Sequence, residues 1–206
     1  MLERLTRYAE DIEAALDRCL PARQDSRARI CGAMRYSLLS PGKRVRSALT
    51  LEFCRVCGGR AEAAMPLACA LEMVHCYSLI HDDLPCMDDD TERRGKPTNH
   101  VVYGEDFAVL AGDGLLTQAF AAALSAPLPP ERALEAARTL AEAAGLDGML
   151  GGQSIDVEND GKFPSFDALC EMYDLKTGAL IRAGGRLGCI AAGADAAARS
   201  AADRYT

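Results

Sequence analysis

Residues 71–100 read LEMVHCYSLIHDDLPCMDDDTERRGKPTNH: an apolar stretch that runs into five aspartates and then into a basic patch. The first half continues an apolar segment that begins at Ala61, and its periodicity predicts one long helix over Ala61 to Leu84. Asp82, Asp83, Asp88, Asp89 and Asp90 follow at its end. Burying that much like charge inside a helical core costs more than packing returns. The cluster therefore either lies in solvent or holds hard cations. Negative charge at a helix C-terminus opposes the macrodipole, which disfavours the first alternative. Magnesium suits clustered carboxylate oxygens and completes its shell with water and phosphate oxygens. On an unbroken helix Asp82 and Asp88 would stand ~9 Å apart along the axis. Pro85 supplies the break that lets Asp88 fold back, because it removes a backbone donor and restricts Leu84.

Cations flank the cluster. Arg93, Arg94 and Lys96 follow it directly, and upstream PGKRVRS places Lys43, Arg44 and Arg46 beside Gly42 at a helix start. Guanidinium forks and helix N-termini suit diphosphates, so two basic patches with one aspartate cluster suggest two phosphorylated ligands. His75 lies seven residues before Asp82, on the same helical face and about two turns deeper. Gln153 and Asp156 share another apolar helix, and Lys176 and Thr177 precede Gly178 in a further one. A buried lysine is rare unless paired, so Lys176 is expected to face an anion.

Further predicted helices cover Leu2–Leu20, Arg27–Leu39, Val45–Cys57, Asp106–Ser125, Pro130–Ala144, Leu146–Val157 and Ser165–Ala192, with Glu92–Val102 as a loop. Strand alternation is nearly absent. The expected fold is all-α, a helical bundle forming one domain over residues 1–206. A composition that is 49% hydrophobic and 26% charged excludes collagen-like, disordered and disulfide-stapled classes. A net charge of −7 argues against a nucleic-acid partner. No stretch reads as the uncharged apolar run of a membrane span, and the N-terminus lacks a secretory pattern, so a cytoplasmic location is expected. Of the nine cysteines only Cys54 and Cys57 form a C-x-x-C pair, without zinc partners, and buried thiols are expected.

These segments resemble the trans-isoprenyl diphosphate synthase (polyprenyl synthetase) family. The likeness spans Gly42 to about Gly193 and is carried by GKRVR, the aspartate-rich stretch with its arginine pair, AVLAGDGLL, GGQSIDV and KTGALI, in that order. It implies a bundle around a deep central cavity, as a homodimer. It implies that Asp82 and Asp88, supported by Asp83, bind two or three Mg2+ ions with an allylic diphosphate (dimethylallyl or geranyl). Arg93, Lys176 and Thr177 would grip that diphosphate, and Gln153 and Asp156 would line the same cavity. Gly42, Lys43, Arg46, His75 and Arg94 would hold isopentenyl diphosphate. The allylic fragment would ionise to a carbocation and be attacked by the alkene, with no protein nucleophile required.

Tyr77 and Ser78, five and four residues before Asp82, would limit product length. With D-D-x-x-x-x-D they resemble bacterial-type farnesyl diphosphate synthases, and DDLPCMD with GKPTNH also resembles geranylgeranyl diphosphate synthases. A non-catalytic subunit is a further alternative. A terpene cyclase would leave Lys43, Arg46 and His75 without a purpose. Nothing after Lys176 matches the family's second aspartate block, F-Q-x-x-D-D, since Asp195 and Asp203 are isolated. The expectation is therefore a C-terminally incomplete domain, missing helices and turning over little by itself.

Overall fold

A computed structural model describes residues 2–206. In chain order the helices are α1 (Leu2–Cys19), α2 (Ala28–Leu38), α3 (Val45–Val56), α4 (Ala61–Asp82), α5 (Asn99–Tyr103), α6 (Glu105–Leu124), α7 (Pro130–Ala144), α8 (Met149–Glu158), α9 (Phe166–Tyr173), α10 (Ala179–Ala192) and α11 (Ala196–Tyr205). Two-residue strands β1 (Glu92–Arg93) and β2 (Lys96–Pro97) form one antiparallel hairpin. The fold is all-α, as the periodicity predicts.

Helix α4 is the axis. Its Leu67, Leu71, Met73 and Val74 are fully excluded from solvent, and it packs against α3, α6 and α10. Burying each such side chain stabilises the fold by roughly 1.5–3 kcal/mol. Small residues let the neighbours close in: a Cβ at Gly188 of α10 would sit 2.5 Å from the Thr50 carbonyl oxygen of α3. The two helices thus meet almost backbone to backbone.

Four segments differ from their sequence reading. Glu92–Val102, expected as a loop, contains the hairpin and α5. Arg94 (φ 57°) and Gly95 (φ 77°) form its two-residue turn, whose positive φ values match the twist of a tight hairpin. Two-residue strands are too short to show alternation. Ser165–Ala192 is not one α-helix: residues Asp174–Gly178 widen into a π turn between α9 and α10. Helix α8 begins at Met149 rather than Leu146. Helix α11 was not foreseen; it is capped by Asp195, which accepts from the Ala198 amide at 2.8 Å, and anchored by Arg186 to Asp203 at 2.6 Å.

Ala61–Asp82 and Glu105–Leu124 are each long and apolar enough to cross a membrane by length and composition; 61% of the first window and 39% of the second are buried inside the fold. All nine cysteines are free, with Cys31, Cys54, Cys69, Cys76 and Cys189 buried and Cys86 and Cys170 exposed.

Candidate functional site

The acidic end of α4 is shaped by its break. Helix α4 ends at Asp82, the Asp83 amide makes the last i→i−4 bond, to Leu79, and the chain then turns so that the Asp88 amide donates to the Asp82 carbonyl at 2.9 Å. Asp88 therefore returns to the level of Asp82 despite its six-residue separation. Asp83 turns the other way. Its carboxylate is buried and accepts from Arg93 Nε at 2.7 Å, while Arg93 also reaches Asp90 at 3.2 Å.

The carboxylates differ in their electrostatics. Asp82 is pushed up to about 6, chiefly by burial and then by Asp88 and Asp83, against the opposing pull of Lys176 and Arg93. Burial also raises Asp83, and the Arg93 hydrogen bond opposes it. Among the described residues neither the Asp82 nor the Asp88 carboxylate has a hydrogen bond or a close ion pair. Nor do three or more His, Cys, Asp or Glu side chains there converge on one metal position. A cation bound here would take protein oxygens from this pair and the rest from water or ligand.

Asp82 stands at the rim of a cavity of about 390 Å³ beneath the helix end. Its wall from α4 carries His75, Tyr77, Ser78 and His81; Met149, Leu150 and Gln153 come from α8, Lys176 and Thr177 from the π turn, and Leu180 from α10. Tyr77 packs edge-on against His81, with ring centroids 5.8 Å apart. Burial raises its hydroxyl's pKa. Ser78 Oγ is held at 2.9 Å by the His75 carbonyl. The π turn owes its position to Gly152, where a Cβ would stand 2.2 Å from the Lys176 amide nitrogen. The anion that Lys176 faces in this structure is the Asp156 carboxylate, with which it forms an ion pair. Gln153 lines this cavity as expected, but Asp156 does not: drawn to Lys176, it lines a further cavity together with Asp88 and Gln153.

A second cavity, about 590 Å³, is walled by residues 41–46, Glu72, His75 and Arg94. Lys43, Arg46 and Arg94 give it a cationic lining. Arg94 is steered here by its left-handed backbone and donates to the Pro41 carbonyl at 2.9 Å, against Gly42. The hairpin turn thus splits one basic patch: Arg93 goes to Asp83 and Arg94 to this cavity. Arg46 Nη1 lies 3.4 Å from His75 Nε2. Arginine can only donate, so that ring nitrogen accepts and His75 is neutral. Burial and the Arg46 charge agree, pulling His75 down to about 4. Arg46 and His75 line both cavities and form the wall between them.

Several residues of the two cavities escaped the sequence reading. Glu72 is one helical turn before His75, a spacing that could have revealed it. His81 enters the wall because Gly112 of α6 leaves it room. Met149, Leu150 and Leu180 carry no sequence signal beyond ordinary core residues. Arg44, read as one of three anion-facing cations, is instead 2% exposed and bound to Glu72 at 2.8 Å. Arg93 does not line the 390 Å³ cavity; it is held beside it by Asp83.

Comparison with known proteins follows the same pattern. Residues 27–206 match the family model described as polyprenyl synthetase. The chain is 47% identical over 192 residues to a heterodimeric geranylgeranyl pyrophosphate synthase large subunit from Arabidopsis thaliana, covering 90% of this chain and 51% of that protein. It is 44% identical over 195 residues to farnesyl diphosphate synthase from Geobacillus stearothermophilus, covering 93% of this chain and 65% of that one. It therefore spans about half to two thirds of the length of these relatives. Among solved structures, an FPP/GFPP synthase from Zymomonas mobilis superposes with a TM-score of 0.93 at 37% identity, covering 98% of this chain and 74% of that one. A geranyltransferase from Legionella pneumophila gives 0.91 at 34% identity, covering 98% and 72%.

Proposed function

This chain belongs to the polyprenyl synthetase family, and from that premise we propose that it is the substrate-binding body of a prenyltransferase joining an allylic diphosphate to isopentenyl diphosphate. The observation that carries this reading is the pair of cavities that meet at Arg46 and His75: one cationic, the other mostly apolar with the unpaired carboxylate of Asp82 at its rim.

In this reading Lys43, Arg46 and Arg94 hold the diphosphate of isopentenyl diphosphate, and its hydrocarbon end points past His75 into the apolar cavity. The allylic substrate lies along that cavity with its diphosphate at the rim. There Lys176 exchanges Asp156 for a phosphate oxygen, Thr177 and Gln153 sit beside it, and Arg93 adds charge from behind Asp83. The unpaired Asp82 and Asp88 fit a hard cation, and Mg2+ held there would neutralise charge on the departing diphosphate. The apolar wall keeps water from the allylic cation while the alkene is held close to it.

Tyr77, with Ser78 beside it, supports a short cavity floor and hence a farnesyl product. The geranylgeranyl reading draws on the relatives named for that product, and the subunit reading on the one named as a large subunit of a heterodimer. A homodimer in the cytoplasm, acting as one domain without nucleic acid or a membrane span, belongs to the same proposal. So does weak turnover by these 206 residues without a second aspartate block; Asp195 and Asp203 are already occupied as a helix cap and an ion-pair partner.

Calorimetry on the purified chain tests the core of the proposal. Isopentenyl diphosphate should bind with or without Mg2+, and geranyl diphosphate should bind only with it. Failure of both ligands to bind overturns the reading.

A further inference from the structure

We propose that the buried Arg44–Glu72 pair is a positioning device for the cationic cavity, fixing the Gly42–Arg46 turn so that Lys43, Arg46 and Arg94 stay free for a diphosphate. The inference deepens the assignment of that cavity to isopentenyl diphosphate and rests on it.

Arg44 is a non-glycine residue held in the left-handed region, at φ 49° and ψ 30°, immediately before α3. Such a backbone persists only where its surroundings fix it. The side chain supplies that fixing. Its Nη1 donates to Glu72 of α4 at 2.8 Å, and its Nη2 donates to the carbonyls of Leu38 at 3.1 Å and Ser40 at 2.7 Å, at the end of α2. The other Glu72 oxygen lies 2.8 Å from Ser47 Oγ in the first turn of α3. One buried ion pair therefore ties three helices at the point where the cavity wall begins. Arg44 and Ser47 hold Glu72 below the usual carboxylate range despite its burial, so the pair is ionised.

The charge arithmetic gives the pair a purpose. Arg44 is matched by Glu72 at 2.8 Å, with the partly exposed Glu13 a second carboxylate 3.6 Å from its Nε, and His75 is neutral. That leaves Lys43, Arg46 and Arg94 as the cations available to an anion. None of the three has a carboxylate within ion-pair distance among the described residues. Glu72 itself lines the cavity. Coulomb's law alone says that neutralising a carboxylate in the wall of an anion site should tighten anion binding. Positioning says the opposite, because a loosened turn spreads the three cations.

The two accounts thus predict opposite signs. Glu72→Gln keeps the shape and removes the charge. Arg44→Lys keeps the charge and removes the fork to both carbonyls. Binding of isopentenyl diphosphate and of inorganic diphosphate to the 206-residue chain would be measured by calorimetry, alongside thermal melting and Mg2+-dependent geranyl diphosphate binding. The expected result is roughly tenfold weaker isopentenyl diphosphate binding in either variant, with geranyl diphosphate binding within about twofold of the parent. General destabilisation would lower both affinities together. Ser47→Ala, a milder cut in the same network, should weaken isopentenyl diphosphate binding by about two- to threefold and serves if the other variants do not fold. Unchanged or tighter isopentenyl diphosphate binding in a folded variant overturns the inference. Absence of isopentenyl diphosphate binding by the parent chain overturns the cavity's assignment, and this inference with it.

Discussion

The cationic cavity and the aspartate rim lie along the same helix and share Arg46 and His75, yet they hold their charges differently. In the first, the potentially disruptive buried charges are already matched: Glu72 is bound to Arg44, and the remaining cations are held by backbone geometry. In the second, Asp82 and Asp88 are brought together without a partner, and Asp82 resists ionisation up to about 6. One site presents unpaired cations; the other presents unpaired carboxylates. Under the proposed function, the difference teaches how a single helix would serve two anionic ligands without attracting either to the wrong place: one would be met by protein charge and the other through a metal.

The largest expected effect follows from removing the unpaired carboxylate. Asp82→Asn should weaken Mg2+-dependent geranyl diphosphate binding by at least about 100-fold, measured by calorimetry, and leave isopentenyl diphosphate binding within about twofold. Equal losses at both sites would end the contrast. The converse substitution is next. Lys43→Ala or Arg94→Ala should weaken isopentenyl diphosphate binding by roughly tenfold or more, the scale of a lost charge-assisted hydrogen bond, and spare the metal-dependent ligand.

Acidity separates the sites as well. The carboxyl of Asp82 is raised from 3.8 to about 6, so metal-dependent binding should weaken as pH falls through about 6. The cationic cavity should change little there, because His75, lowered from 6.5 to about 4, stays neutral until the pH approaches that value. The stability sign for Asp82 is the reverse of a salt-bridged carboxylate. Its ionisation disfavours the fold, an effect absent below 3.8 and developed by about pH 6. In metal-free protein at neutral pH, Asp82→Asn should therefore raise stability by about 1–2 kcal/mol after discounting for partial exposure, read from denaturant unfolding. A pH-independent metal affinity between 5 and 7 would break this account. An effect on folding of similar size and opposite sign is expected at the cavity floor. Tyr77→Ala should cost about 1–2 kcal/mol as a half-buried truncation, and should lengthen the prenyl product. An unchanged product spectrum would remove Tyr77 as the floor.

Much of this was legible in the chain. Apolar periodicity placed α1–α4, α6 and α7 to within a few residues, and Pro85 announced the return of Asp88. Less was legible where the signal was short or distant. The hairpin at Glu92–Pro97 has too few residues to alternate, although its turn decides where Arg93 and Arg94 go. The π turn around Lys176 depends on Gly152 of another helix, and Arg44 could not be told from Lys43 or Arg46 until Glu72 was found opposite it.

By itself the sequence determined an all-α bundle, a helix broken at Pro85, and an inventory of carboxylates and cations suited to two diphosphates. It could do so because helical period, proline geometry and charge are local properties of the chain. Only the tertiary structure decided which charges are spent on each other and which remain free. Ion pairing is set by the approach of separate helices over a few ångströms, so Arg44 and Glu72, 28 residues apart, became one buried unit while the Asp82 and Asp88 carboxylates were left without a protein partner among the described residues.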